Sequence, residues 1–127
     1  MQYVKKVVPF FSDKRGTLSH LLEDDLKVVS ALLITFKKGA IRANHYHKHD
    51  THYCYMLEGE MEYIYQDMRK KNSRKKSVRV PAGYLVKTPP MVAHAMKLLT
   101  DGAFLTLSTE PRHRKDYEHD TKKVHLI

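Results

Sequence analysis

The residues best suited to chemistry in this sequence are histidines, which number nine in 127 residues. His45, His47, His49 and His52 lie close together, and His94 follows further along the chain. Because side chains two apart on a β-strand share a face, His45 and His47 are expected to project together. His52 follows a short polar turn and His94 can reach the same pocket from another strand. Neutral imidazole is the commonest ligand for divalent transition ions, so zinc, iron, nickel or copper is favoured over magnesium or calcium.

The other histidines show no comparable pattern and are predicted to be surface or hydrogen-bonded residues: His20, His113, His119 and His125. His49 belongs to a polar turn, which favours a solvent-exposed position. Cys54 lies two residues after His52 and is predicted to share its face as a small buried residue rather than a metal-bound thiolate. A single cysteine excludes an internal disulfide framework and a cysteine-rich zinc module.

The elements that must position these histidines are predicted to be strands. Alternating patterns separated by frequent turn signals are typical of a sandwich or barrel, and eight to ten strands can enclose a pocket. Hairpin turns are predicted at Glu58–Glu60 and Asp101–Gly102, and no helix longer than about three turns is expected. The predicted strands are Tyr3–Phe11, Lys27–Lys37, Thr51–Leu57, Met61–Gln66, Ser77–Val80, Tyr84–Lys87, His94–Thr100 and Ala103–Thr109.

Two segments resemble the paired motifs of the cupin superfamily. Residues 39–59 match the first motif, from Gly39 through the His45/His47 pair to a glycine at 59, but His52 stands where the motif has glutamate. Residues 83–94 match the second motif and end at His94, with Met91 in place of a glycine. The resemblance implies an all-β fold, a single cupin β-barrel of the RmlC-like jelly-roll type over residues 1–127.

The cupin resemblance also implies a metal site. In cupins the corresponding residues hold one divalent transition metal, so the implied ligands here are His45, His47, His52 and His94. Replacing the glutamate with His52 removes a negative charge. The charge of the metal, whether zinc, iron or nickel, would then be balanced by hydroxide or by an anionic substrate oxygen.

The run Arg42–Lys48 resembles two groups of cupins that act on nucleotide-activated sugars. One is the zinc-binding C-terminal domain of bifunctional capsular-sugar epimerase/reductases, and the other is the metal-free 3,4-ketoisomerases of dTDP-4-keto-6-deoxyhexoses. The resemblance implies an isomerase or epimerase of a keto-sugar nucleotide or related carbohydrate. Arg42 would bind a substrate phosphate or carboxylate, or else form a structural salt bridge. A mononuclear metal-dependent oxygenase and a non-catalytic ligand-binding cupin remain as alternatives.

The formal net charge of +9 favours an anionic small-molecule partner. Six basic residues lie within residues 69–76, and subtracting their charges leaves only +3. The run contains no aromatic residue, which argues against single-stranded nucleic acid, and a solvated hairpin loop is the favoured interpretation.

No apolar run is long enough to cross a membrane, and Met1–Lys6 lacks the apolar core of a signal peptide. These features predict a cytoplasmic protein without a membrane partner. An exposed N-terminal strand over Tyr3–Phe11 is expected to pair with the sheet edge of a second copy in a homodimer.

Overall fold

The computed structural model describes residues 3–127, and residue 114 only through its backbone. Two antiparallel five-stranded sheets enclose the core, and a separate two-stranded ribbon lies outside them. The strands are β1 (Val4–Lys6), β2 (Phe11–Asp13), β3 (Gly16–Leu18), β4 (Ser30–Phe36), β5 (Ile41–His47), β6 (His52–Glu58), β7 (Glu60–Asp67), β8 (Lys76–Pro81), β9 (Tyr84–Thr88), β10 (Val92–Leu98), β11 (Gly102–Ser108) and β12 (Thr121–Lys123).

The first sheet has the strand order β1-β9-β6-β11-β4, and the second has the order β12-β5-β10-β7-β8. Strands β2 and β3 form the ribbon. One short helix, α1 (Arg114–Asp120), precedes β12 and stays within the three-turn limit expected from the sequence. The predicted all-β jelly roll is therefore confirmed. No helix in residues 3–127 is long and apolar enough to span a membrane.

The predicted strand Tyr3–Phe11 is wrong, because the structure divides this segment. Strand β1 ends at Lys6, and β2 begins only at Phe11. Pro9 lies between them, and proline fixes its own backbone angle and has no N–H for a strand ladder. The second predicted strand is also shorter than expected and begins at Ser30 rather than Lys27.

Inward-facing side chains of both sheets form the core, as the alternating pattern requires. Phe36, Met56, Met61, Tyr63 and Phe104 are among its buried members. The Tyr63 hydroxyl lies 2.7 Å from the Thr88 hydroxyl, which satisfies two buried polar groups. The core beside the predicted histidines is therefore apolar and well filled.

The predicted turn at Glu58–Glu60 is confirmed and depends on its glycine. Gly59 joins β6 to β7 with a φ of +86°, a left-handed conformation that side chains rarely adopt. A Cβ placed there would lie 2.6 Å from the backbone oxygen of Asp101. This close approach packs the β6–β7 turn against the β10–β11 turn.

Strand β5 contains a bulge just before its histidines. On β10, His94 pairs with His45, but the next residue, Ala95, pairs with Ala43, so Asn44 is the extra residue. Ala43 and Asn44 both have left-handed φ values, of 69° and 57°. The bulge resets the side-chain alternation, so that His45 and His47 both face the interior beside His94.

Candidate functional site

The structure brings the four predicted histidines together at one place between the sheets. His45 and His47 end β5, His52 begins β6, and His94 lies near the start of β10. The ring centroid of His45 lies 4.7 Å from that of His47 and 4.8 Å from that of His94. The ring centroids of His52 and His94 are 4.8 Å apart. The sequence spacing thus predicted the side chains that converge, while their role as metal ligands stays a prediction.

Several ring nitrogens in this cluster have no hydrogen-bond partner. Nδ1 of His94 lies 3.1 Å from the backbone oxygen of Val92 and donates to it, so its Nε2 carries the free lone pair. That atom is buried without a partner, as are Nε2 of His47 and Nδ1 of His52. Unsatisfied buried nitrogens cost free energy, and they are expected where a ligand completes the site.

The environment keeps three of the imidazoles neutral. Burial, reinforced by the neighbouring His47 and His52, lowers the pKa of His45 to about 3. Burial also lowers the pKa of His47 to about 4, and it holds the pKa of His94 well below its usual value. Near neutral pH each of these rings is neutral and keeps one nitrogen with a free lone pair. They are therefore competent metal ligands, but poor proton acceptors by themselves.

A buried carboxylate lies beside His52. Asp50 accepts hydrogen bonds from the backbone N–H groups of Thr109 and Glu110, and its Oδ2 is 3.7 Å from His52 Nδ1 and 3.7 Å from the Arg112 guanidinium. Burial raises the pKa of Asp50, but His52, His47 and the Glu110 N–H together outweigh this effect, so the net pKa is below the usual value. His52 and Asp50 therefore form a histidine–carboxylate pair.

A second carboxylate, Asp120 at the end of α1, organises the chain between β5 and β6. It accepts the N–H of His49 at 2.7 Å and the N–H of Asp50 at 3.1 Å. Its Oδ2 also lies 3.7 Å from His47 Nδ1, and the Thr121 hydroxyl lies 3.1 Å from the same nitrogen. Such outer contacts fix the orientation of an imidazole and direct its other nitrogen toward the cluster.

The histidines line a cavity between the two sheets, which we call the histidine cavity. Arg42, Arg112 and Tyr117 line it together with His45, His52 and His94. The Arg42 side chain is exposed and donates to the backbone oxygen of Thr35, so its described contact is not a salt bridge. The guanidinium carbon of Arg112 lies 4.5 Å from the centre of the Tyr117 ring. Two cations and a phenol therefore border the imidazoles.

Arg112, Tyr117 and Asp120 were not predicted from the sequence. All three belong to the segment after β11, which has neither apolar periodicity nor a recognisable motif. Asp50 lies in the polar turn before His52, and nothing in that turn distinguished it as a functional residue. Nothing in the amino-acid pattern indicated that this segment returns to β5, and the pairing of β12 with β5 supplies that information.

Other sequence predictions fall outside the cavity. His20, His113, His119 and His125 are exposed, which confirms their predicted surface position. His49 is also exposed, and Tyr53 points to the opposite face of β6, where its hydroxyl donates to Asp24. Cys54 is fully buried, and burial raises the pKa of its thiol, as expected for a packing residue.

Residues 69–75 of the basic run lie in the loop between β7 and β8, as the hairpin interpretation predicted, and Lys76 begins β8. None of its side chains lines the histidine cavity. Its charge therefore lies apart from the candidate site.

Comparisons with known proteins agree with this architecture. Residues 11–121 match the family model of the polysaccharide biosynthesis C-terminal domain. No relative is found among the curated proteins. A 3'-monoepimerase from Streptomyces bikiniensis, solved with dTDP-quinovose, has a TM-score of 0.80 and 18% identity, over 97% of this chain and 69% of that one.

Two further solved structures share the fold. A 3,4-ketoisomerase from Helicobacter canadensis gives a TM-score of 0.73 at 20% identity, over 89% of this chain and 86% of the other. The rmlC epimerase of Mycobacterium tuberculosis gives 0.79 at 15% identity, over 97% and 68%. The family match and these folds confirm the cupin resemblance: the chain belongs to the polysaccharide biosynthesis C-terminal domain family and has an RmlC-like cupin fold.

Proposed function

We propose that this protein isomerises or epimerises a keto-sugar nucleotide by moving a proton at a carbon next to the ketone. The observation that carries the proposal is the histidine cavity, where a histidine–carboxylate pair and a tyrosine face the same space. Membership of a polysaccharide biosynthesis family and the activities named for the solved structures support the same chemistry.

In the proposed reaction, His52 is the base. Its Nε2 removes a proton from the carbon beside the ketone, while the Asp50 carboxylate stabilises the resulting imidazolium. The electron pair of the broken C–H bond moves onto the ketone oxygen and gives an enediolate. The Tyr117 hydroxyl then donates a proton to the same carbon at its opposite face for an epimerisation, or to the former ketone carbon for an isomerisation. In the isomerisation the hydroxyl proton of the first carbon passes to the former ketone oxygen as the new C=O bond forms. His52 returns its proton to the tyrosine through solvent, so atoms and charges balance.

We further propose that His45, His47 and His94 hold one divalent transition metal. The unpartnered nitrogens of His47 and His94 and the neutral state of all three rings fit this group. Potential ligand atoms of these three residues lie within 4.8 Å of one another, whereas His52 falls in a second set with Asp50 and His47. Three protein ligands and an open position are typical of a catalytic zinc site. When bound, such an ion supplies a Lewis acid for the ketone oxygen.

Arg42 and Arg112 give the cavity its proposed preference for an anionic substrate. A diphosphate carries two or more negative charges, and a guanidinium can bind phosphate oxygens through paired hydrogen bonds. Arg42 is exposed at the cavity border, where it can meet the nucleotide portion, while Arg112 is more buried and lies 3.7 Å from Asp50, the carboxylate beside His52.

Solvent proton exchange tests the proposed reaction. With metal-loaded protein in deuterated water, a panel of dTDP-, UDP- and GDP-linked 4-keto sugars should include one that gains deuterium beside its ketone, as measured by NMR. Because general acid–base groups contribute about 10²–10⁴-fold, His52→Gln should slow exchange by at least about a hundredfold, and Tyr117→Phe should slow product formation by a similar factor while exchange through His52 continues. His20→Gln and Tyr55→Phe, which change the same residue types outside the cavity, should slow neither.

Three results would count against the reaction. Absence of exchange across the whole panel would reject the isomerase. Oxygen consumption with a small organic substrate would instead favour the oxygenase, and ligand binding without any turnover would favour the non-catalytic cupin.

Elemental analysis tests the metal proposal separately. Protein purified without an affinity tag should contain close to one zinc, iron or nickel per chain, and His45→Ala/His47→Ala should lose it. His20→Ala/His113→Ala removes two exposed histidines and should retain the metal. Full metal content in the His45/His47 double variant would refute the ligand assignment.

A further inference from the structure

A second concave site lies beside the loop between β7 and β8, and we call it the basic groove. Lys70, Ser73, Arg74 and Lys76 line it together with Tyr3 and Tyr65. Its volume is about 530 Å³, within the range of small-molecule binding sites. The proposed reaction uses none of these residues.

The loop that carries the cations is held in a defined conformation. The Gln66 side-chain amide donates to the backbone oxygen of Ser73 at 3.0 Å, and the Ser73 N–H donates to the backbone oxygen of Lys70 at 3.2 Å. The Lys75 ammonium group donates to the backbone oxygen of Leu126 at 2.9 Å. These bonds preorganise the loop, so a ligand would pay less conformational entropy on binding.

The positive charge of the groove is not balanced by neighbouring acids. Arg69 is paired with Asp67, and Asp67 is the only acidic residue among those described that line the groove. Lys70, Arg74 and Lys76 have no carboxylate within salt-bridge distance among residues 3–127. Three like charges around one concavity repel each other, so an anion placed among them would be stabilised.

Aromatic rings form one side of the groove and separate it from the histidine cavity. The rings of Tyr3 and Tyr65 meet edge to face at 5.4 Å, and Tyr65 stacks on Tyr63 at 5.5 Å. Tyr63 is fully buried and stacks in turn on His94 at 6.2 Å. Because this ring fills the space between them, the groove is a site of its own with a ring surface beside its cations.

We propose that the basic groove binds a nucleoside diphosphate at a site separate from the histidine cavity. Lys70, Arg74 and Lys76 contact the two phosphates, and the base packs against Tyr3 and Tyr65. A positively charged surface alone attracts any anion, but this groove combines charge with a ring platform in a space that fits one nucleotide.

Titration calorimetry of the full chain with UDP and with inorganic pyrophosphate tests the proposal. The variant Lys70→Gln/Arg74→Gln/Lys76→Gln should bind both probes about tenfold or more weakly than the unmodified protein. Lys14→Gln/Lys97→Gln/Lys122→Gln removes the same charge at exposed positions outside the groove and should bind normally. Arg42→Gln/Arg112→Gln alters the histidine cavity and should retain the groove's binding event.

Tyr3→Leu tests the ring platform. It should weaken UDP binding about fivefold or more, in line with the usual contribution of base stacking, and leave pyrophosphate binding unchanged. Circular dichroism melting curves verify that each variant folds, and the cations altered in the two triple variants are surface residues. Three results would each overturn the proposal. They are equal losses of binding in the two triple variants, loss of all binding in the Arg42/Arg112 variant, and absence of UDP binding to the unmodified protein.

Discussion

Met91 shows how one residue fixes the geometry around the histidines. Its φ is 67°, and it occupies the position where the second cupin motif has glycine. Its N–H donates to the backbone oxygen of His47, and its backbone oxygen accepts the N–H of Met68. A left-handed conformation costs a non-glycine residue roughly 1–2 kcal/mol, so the chain retains this turn at the expense of stability.

Substitutions at Met91 should follow the steric demands of its backbone. Met91→Gly is expected to be neutral or stabilising by up to about 1 kcal/mol, because relief of strain offsets the greater entropy of glycine in the unfolded chain. Met91→Val should destabilise by about 1–2 kcal/mol, since a β-branched residue fits a positive φ poorly. Urea unfolding measures both. Met68→Gly changes a neighbouring methionine without a positive φ and should only destabilise the protein. If Met68→Gly were stabilising, relief of backbone strain would not explain the effect of Met91→Gly.

The lowered pKa values of His45 and His47 predict acid sensitivity of the metal-free protein. Their pKa values are about 3 and 4 in the fold and about 6.5 in the unfolded chain, so between these limits the unfolded chain binds more protons. Stability is therefore fully present above pH 6.5 and falls as the pH is lowered toward 4. Thermal melts across this range should show a falling melting temperature, and His45→Asn should reduce this loss of stability. An unchanged melting temperature down to pH 4 would contradict the assigned cause.

Alternation made His45 and His47 predictable, because residues two apart on a strand share a face whatever the rest of the fold. His52 and His94 were predicted from the polar turn before His52 and from the cupin motifs. Arg112, Tyr117 and Asp120 were not predictable in this way. They reach the cavity through a tertiary return of the chain, and no local pattern records which strand β12 will join.

Among the elements, β5 depends on contacts with the end of the described chain. The Asn44 side chain accepts the N–H groups of Leu126 and Ile127 and donates to the backbone oxygen of Ile127. Asparagine tolerates the left-handed conformation of the bulge better than most residues. One side chain therefore both permits the bulge and holds the last residues against it.

Asn44→Ala should destabilise the protein by about 2–3 kcal/mol, because it strains the bulge and leaves partly buried backbone groups unpaired. Asn44→Asp retains the acceptor and should cost less. Urea unfolding gives the ranking, and limited proteolysis should show earlier cleavage near Leu126 in the alanine variant. Equal stability of Asn44→Ala and Asn44→Asp would show that the hydrogen bonds accepted by the Asn44 side chain contribute nothing.

Turn chemistry explains which elements were predictable. Gly59 and Asp101–Gly102 end strands by local rules, and both hairpins were located correctly. Pro9 divides the N-terminal strand by an equally local rule, because proline lacks the N–H of a strand ladder. The apolar residues around it nevertheless favoured one continuous strand. Helix α1 was missed because its sequence is polar on all sides, and its position follows from packing rather than from periodicity.

At the scale of the whole molecule, the β2–β3 ribbon lacks a covering surface in the described chain. All six of its strand residues are exposed, including Phe11 and Leu18, and nearby Val8 and Phe10 are exposed as well. An isolated two-stranded ribbon is marginally stable in water. We therefore propose that a second copy covers it in a homodimer, in place of the pairing first expected for one continuous N-terminal strand.

Light scattering after size-exclusion chromatography should give a dimer at micromolar concentration. Phe11→Ser/Leu18→Ser should shift it toward the monomer, because it removes two apolar side chains from the proposed contact. Leu57→Ser/Met68→Ser alters exposed apolar residues elsewhere and should leave the dimer intact. A monomeric unmodified protein would reject this interface.

The return of Asp120 to the turn between β5 and β6 has a consequence for biosynthesis. Its contacts with His49 and Asp50 span 71 and 70 residues, so they cannot form until nearly the whole described chain has left the ribosome. All four histidines emerge earlier, and at about 5–20 residues per second they precede this carboxylate by a second or more. During that interval a nascent chain exposes the proposed metal ligands before their orienting partner exists, so the order of translation gives free metal ions access to these imidazoles before the site is complete.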